Sequence, residues 1–169
     1  MNLRNLITGL LLILLAGGCV TYSFTGTSIP SDVQTVYIPF FSDQSGGGIA
    51  DLGDRLNRVL INRFVNQSRL SQTSSQANAD AFIQGSISGY RVRPFSISGN
   101  EQANLNEVTV TVRASFQYAT EDQPLWSKTF SGSGTYDTRD NPVDGEIAAA
   151  EQALEQIANN MFNDAVSNW

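Results

Sequence analysis

Histidine is absent from the chain, and cysteine and lysine each occur once, as Cys19 and Lys128. A His/Cys metal site and a Ser-His-Asp triad are therefore out of reach, and a Ser-Lys dyad would have to be built on Lys128 alone. Carboxylates remain. Asp51/Asp54 and Asp140/Asp144 are acidic pairs of the kind a glycosidase would use. Each pair precedes or opens a stretch with helical periodicity, where a carboxylate interacts well with exposed backbone N–H groups, and that accounts for them more simply than catalysis. No metal, cofactor or catalytic residue is expected.

Cys19 closes the run "LLILLAGGC", in which Leu6 to Ala16 is almost wholly aliphatic and follows a short segment carrying Arg4. This is the layout of a signal peptide, and the run is shorter than the roughly 20 residues a spanning helix needs. Ala16-Gly17-Gly18 leading into Cys19 resembles the bacterial lipobox, whose thiol is alkylated by diacylglycerol before the leader is cut and the new amino group acylated, commonly with palmitate. The competing reading is a chance cysteine in a secreted chain, favoured by Ala16 where the motif usually has Leu. An unpaired thiol is an odd thing to keep in an exported protein, so lipidation is the reading adopted. Each buried methylene contributes about 0.8 kcal/mol, so two or three acyl chains anchor stably where one is marginal. The expected division is a signal peptide over 1–18, a lipidated linker over 19–32 and a single domain over 33–169. Fully extended, the linker spans at most ~45 Å, which keeps the domain close to the membrane.

Without the leader about 150 residues remain, enough for one core that folds without staples. The whole chain has 10 basic and 16 acidic residues. Loss of Arg4 deepens that imbalance, which argues against nucleic acid and against a polybasic membrane surface.

"VQTVYIPFF" (33–41) reads as a first strand limited by Pro39. Ile49, Leu52, Leu56, Val59, Leu60 and Phe64 recur every three or four residues and predict a helix to about Gln67. The polar segment 68–80 receives no regular structure. "AFIQGSISGYRV" predicts a second strand ending at Pro94, with Gly85 and Gly89 marking a bulge or a close backbone approach. Val108, Val110, Val112, Ala114, Phe116 and Tyr118 alternate with polar residues, so a third strand is buried on one side only. A fourth strand over 125–135 closes a hairpin with it, and a second amphipathic helix follows Asn141-Pro142 to Trp169. The order is β-α-β-β-β-α. The economical packing is an α+β two-layer sandwich, a four-stranded mixed or antiparallel sheet covered on one face by two helices.

This set of landmarks resembles the LptE family of lipopolysaccharide-assembly lipoproteins in its Bacteroidetes-type form. The resemblance is carried by "GCVTYSFTGTSIP", "TVYIPFF", "FIQGSISGY", "NEVTVTVRASF" and "MFNDAVSNW". It implies a non-enzymatic outer-membrane protein on the periplasmic side, which plugs and supports assembly of the LptD β-barrel for lipopolysaccharide transport. Val20, after the anchor, is not the aspartate that retains lipoproteins in the inner membrane of enteric bacteria. The family implication makes Arg91 and Arg93 candidates for lipopolysaccharide contact through phosphate, the alternative being solvated residues that keep a strand edge soluble. Arg113 and Lys128 are candidates to join them across the polar sheet face. Tyr22 and Phe24, aromatics in a polar linker, are candidates for a barrel or interface contact, or else pack back on the domain. A different function class, a periplasmic lipid-anchored adaptor of another envelope complex, fits the same layering.

Overall fold

The computed structural model describes residues 29–95 and 104–167. In chain order the elements are β1 (Thr35–Tyr37), β2 (Ser42–Asp43), α1 (Leu52–Ile61) extended by a π-type turn (Asn62–Asn66), and β3 (Ser71–Thr73). A 3-10 turn (Gln76–Asn78) leads into β4 (Ala81–Phe95), β5 (Leu105–Tyr118), β6 (Trp126–Asp137) and α2 (Pro142–Ser167).

The sheet runs β3-β1-β4-β5-β6, with β2 also on β4. The long strands form an antiparallel meander, Ile83 facing Phe116 and Phe116 facing Trp126. β1 is parallel to both β3 and β4, and β2 is parallel to β4. The α+β class and the two covering helices match expectation, while the strand count rises from four to six. The first expected strand is split because Pro39 has no N–H to donate. Val36 pairs at Ala81 and, beyond the break, Ser42 pairs at Ser86. β3 is the other addition, a polar edge strand inside the segment left without structure. β4 continues through Pro94, opposite Asn106, at an end where the described residues give it no neighbour but β5.

The core lies between sheet and helices. Val108, Val110, Val112 and Phe116 of β5 are wholly buried, as are Leu56, Leu60 and Phe64 from the first helical segment and Leu154, Ile157 and Met161 from α2. Each such side chain contributes about 1.5–3 kcal/mol by leaving water. The π-type turn is marked by Gln67 N–H donating to the Asn62 carbonyl at 3.1 Å, and it sets Phe64 edge-on to Phe162 with centroids 5.2 Å apart.

Glycine decides how closely the layers meet. A Cβ at Gly132 would lie 2.1 Å from the Ala153 carbonyl oxygen and one at Gly134 2.2 Å from that of Ala149, so α2 rests its backbone directly on β6. Both expected glycine roles occur in β4: the register shifts between Ile87 and Gly89, and a Cβ on Gly85 would meet the Arg113 carbonyl oxygen at 2.3 Å. Asp51 departs from its expected use. It takes a left-handed conformation (φ 61°) and its carboxylate makes no capping bond. At α2 the Asn141 amide instead donates to the Asp144 carboxylate in the first turn.

Candidate functional site

Both helices pack on one face of the sheet, so among the described residues no helix covers the opposite face of β4, β5 and β6, although the 3-10 turn borders its Phe82–Gln117 end. The register identifies them. Arg91 stands opposite Thr109, Arg93 opposite Glu107, and Arg113 opposite Ser86 on one side and Thr129 on the other. Ser115, Ser127, Thr129, Ser131, Ser133 and Thr135 continue the same face, which is therefore a field of hydroxyls crossed by guanidinium groups. Arg91, Arg93 and Arg113 are exposed, and none has an ion-pair or side-chain hydrogen-bond partner among the described residues.

The three arginines do not converge. Thr109 and Arg113 are separated by about 13 Å at a strand's rise, so Arg91 and Arg93 form one cationic patch and Arg113 another. Arg113 borders a shallow depression of about 470 Å³ with Gln84, Ser86, Ser115, Ser127 and Thr129. Lys128 also borders this depression, but its ammonium is directed to the helix side. It lies opposite the inward-facing Ala114, and its ammonium donates to Asp164 of α2 at 2.9 Å. Register is the reason: the hairpin puts Ser127 and Thr129 outward and Lys128 on the helix side.

Where the chain joins the domain, Ile29 is buried and the Arg69 guanidinium donates to the carbonyls of Ile29 and Pro30. The Asp80 carboxylate accepts from Gln34 N–H (2.9 Å), Thr35 N–H (2.8 Å) and the Thr35 hydroxyl (2.8 Å), tying β1 to the start of β4. These bonds, led by the one from Gln34, hold its carboxyl below the ordinary value. Arg91 lies about 33 Å along β4 from this junction. Cys19, Tyr22, Phe24 and Trp169 lie outside the described residues.

Two groups escaped sequence reasoning. Tyr90 donates to Glu146 at 2.8 Å, and the Tyr136 hydroxyl reaches the other oxygen of that carboxylate at 3.4 Å, joining β4, β6 and α2. Burial, and then Glu146, push the Tyr90 hydroxyl well above its ordinary value, so it stays a proton donor. Gln156 of α2 accepts from Ser133 N–H (3.1 Å) and donates to the Ser133 carbonyl (2.8 Å). Nothing local in the sequence signals either. Among the described residues no three His, Cys, Asp or Glu side chains gather as a metal site, and no helix is long and apolar enough to cross a membrane.

A covered core, one bare polar sheet face and separate cationic patches define a protein that works through its surfaces. Solved structures share the fold. A Xanthomonas campestris protein of the DUF330 family superposes with a TM-score of 0.56 at 14% identity, covering 83% of this chain and 89% of that one. A minor lipoprotein from Acinetobacter baumannii gives 0.53 at 12% identity over 80% and 94% of the two chains. The PelC dodecamer from Paraburkholderia phytofirmans gives 0.50 at 14% identity over 79% and 92%. No curated protein sequence matches. The lipopolysaccharide-assembly family LptE matches residues 33–167, and the chain belongs to that family, which is not enzymatic.

Proposed function

We propose that the chain is an outer-membrane lipoprotein, cleaved after residue 18 and lipidated at Cys19, whose domain on the periplasmic side plugs an LptD-type β-barrel and supports its assembly. On this reading residues 19–32 are the tether and 33–169 the plug. The observation that carries it is the bare sheet face. Large outer-membrane barrels have polar interiors that something must occupy, and a face of serine and threonine hydroxyls suits such a lumen without catalytic machinery. The Arg69 contacts to Ile29 and Pro30 support the tether's role, because they fix where it leaves the domain. On the same reading Tyr22 and Phe24 are the proposed contacts to the barrel or the membrane interface.

Arg91 and Arg93 are the proposed lipopolysaccharide contact. Their guanidinium groups, without a partner among the described residues, suit phosphate bidentately, and Glu107 beside Arg93 keeps the patch weak. Depletion of the protein tests the plug. Barrel abundance and surface lipopolysaccharide should fall together, and the barrel should co-purify with the tagged chain from detergent-solubilised outer membranes. Paired substitution of Arg91 and Arg93 by Ser should leave barrel levels normal and slow export. If depletion changes neither barrel nor lipopolysaccharide, the proposal fails and the adaptor of another envelope complex replaces it.

A further inference from the structure

β6 is the last strand of the sheet and, among the described residues, no strand pairs with its outer edge. The hydrogen-bond phase is set where Thr138 N–H donates to the Asn104 carbonyl at 2.7 Å. Even-numbered residues of β6 thus bond to β5, while odd-numbered ones, Ser133 included, turn their N–H and C=O outward. An unpaired row of this kind templates another strand unless it is blocked by charge, proline, a bulge or cover. Here the centre of the edge is Ser131-Gly132-Ser133-Gly134, small and uncharged. The nearest charges along the strand are Lys128 and Asp137, already paired with Asp164 and Arg139. One group does block the centre: the Gln156 carboxamide makes with Ser133 the same donor-acceptor pair that a neighbouring strand would make.

We infer that the β6 edge is a strand-pairing surface for a second copy of this chain, and that the Gln156 amide is the guard that holds it closed. A two-fold axis at Gly132 sets Ser131 against Ser133, Thr129 against Thr135 and Lys128 against Tyr136. Every facing pair of odd residues then has outward N–H and C=O groups in phase, and no like charges face each other along the paired strands. The guard acts twice in such a dimer, because each copy must release its own amide before the edges join.

Sedimentation of the full-length chain in density-matched detergent tests this. Gln156→Ala is a helix-favouring change at an exposed position, and Gln156→Met keeps the length of the side chain without its amide. Both should self-associate at least about tenfold more tightly than the wild type, two hydrogen bonds per copy having been removed from the closed state. Adding Ser133→Pro deletes an outward N–H and leaves the β5 ladder intact, so the double variant should return to wild-type association. Wild-type association in both single variants would overturn the inference. So would tightened association that Ser133→Pro fails to reverse, since the contact would then lie elsewhere.

Discussion

Gly132→Ala probes the direct contact between α2 and β6. The new methyl carbon would stand 2.1 Å from the Ala153 carbonyl oxygen, where ordinary contact needs 3.4 Å or more, so the helix must retreat by over an ångström along a face it otherwise touches. Forcing bulk into a packed layer costs about 1–3 kcal/mol, and removing a strand glycine returns about 0.5–1. The net loss is about 1–2 kcal/mol, or roughly 4–8 °C in melting temperature for a domain of this size. Gly89→Ala is the matched comparison, because its Cβ would meet the Thr111 side chain at an unstrained 3.5 Å. It should melt at or slightly above the wild-type temperature. Thermal scans followed by circular dichroism would read both. A Gly132→Ala protein as stable as wild type, or equal losses at the two positions, would refute the close-approach argument.

Phe116 is wholly buried and stacks with Phe64 and Trp126 at centroid distances of 6.3 and 6.0 Å, so Phe116→Ala should cost about 3–5 kcal/mol in urea unfolding, against about 0.5 or less for the outward Gln117→Ala. Asp80 has a folded-state pKa below its ordinary 3.8, so its contribution is complete above that value and is lost as pH falls through the folded one. The gap between the urea midpoints of wild type and Asp80→Asn should therefore be widest near neutrality and narrow below pH 3.8; a constant gap would discount the carboxylate's charge. Cys19→Ala should abolish labelled palmitate incorporation and leave a precursor that is uncleaved or cut elsewhere, and continued labelling would remove the lipobox from the account.

Periodicity located the parts whose burial is one-sided. β5 alternates Val108 to Tyr118 strictly because α2 and α1 cover one face and water the other, and Arg91, Arg93 and Arg113 fall outward by the same rule. β3 was invisible for the opposite reason. Ser71-Gln72-Thr73 is polar throughout and pairs with β1 through its backbone, so no side-chain pattern marks it. Lys128 shows the limit of composition: a charged residue beside a polar face belongs to the other face when the register says so. The Tyr90–Glu146 bond and the Gln156 clasp span 56 and 23 residues and exist only after the layers have met. The resemblance that located Arg91 and Arg93 carried no information about them.

The close seating of α2 also orders events in time. β4, β5 and β6 follow one another in sequence and can pair early, whereas their cover follows them in the chain. Until α2 docks, the valines of β5 face water and the β6 edge is open along its length. A chain emerging in extended form thus passes through an intermediate that presents both a greasy plane and an unclosed strand, the combination most prone to aggregation. Docking of one helix removes both hazards at once. Survival of the newly made protein should therefore turn on how soon α2 reaches the sheet, and a chaperone that shields this meander would matter more to yield than any gain in final stability.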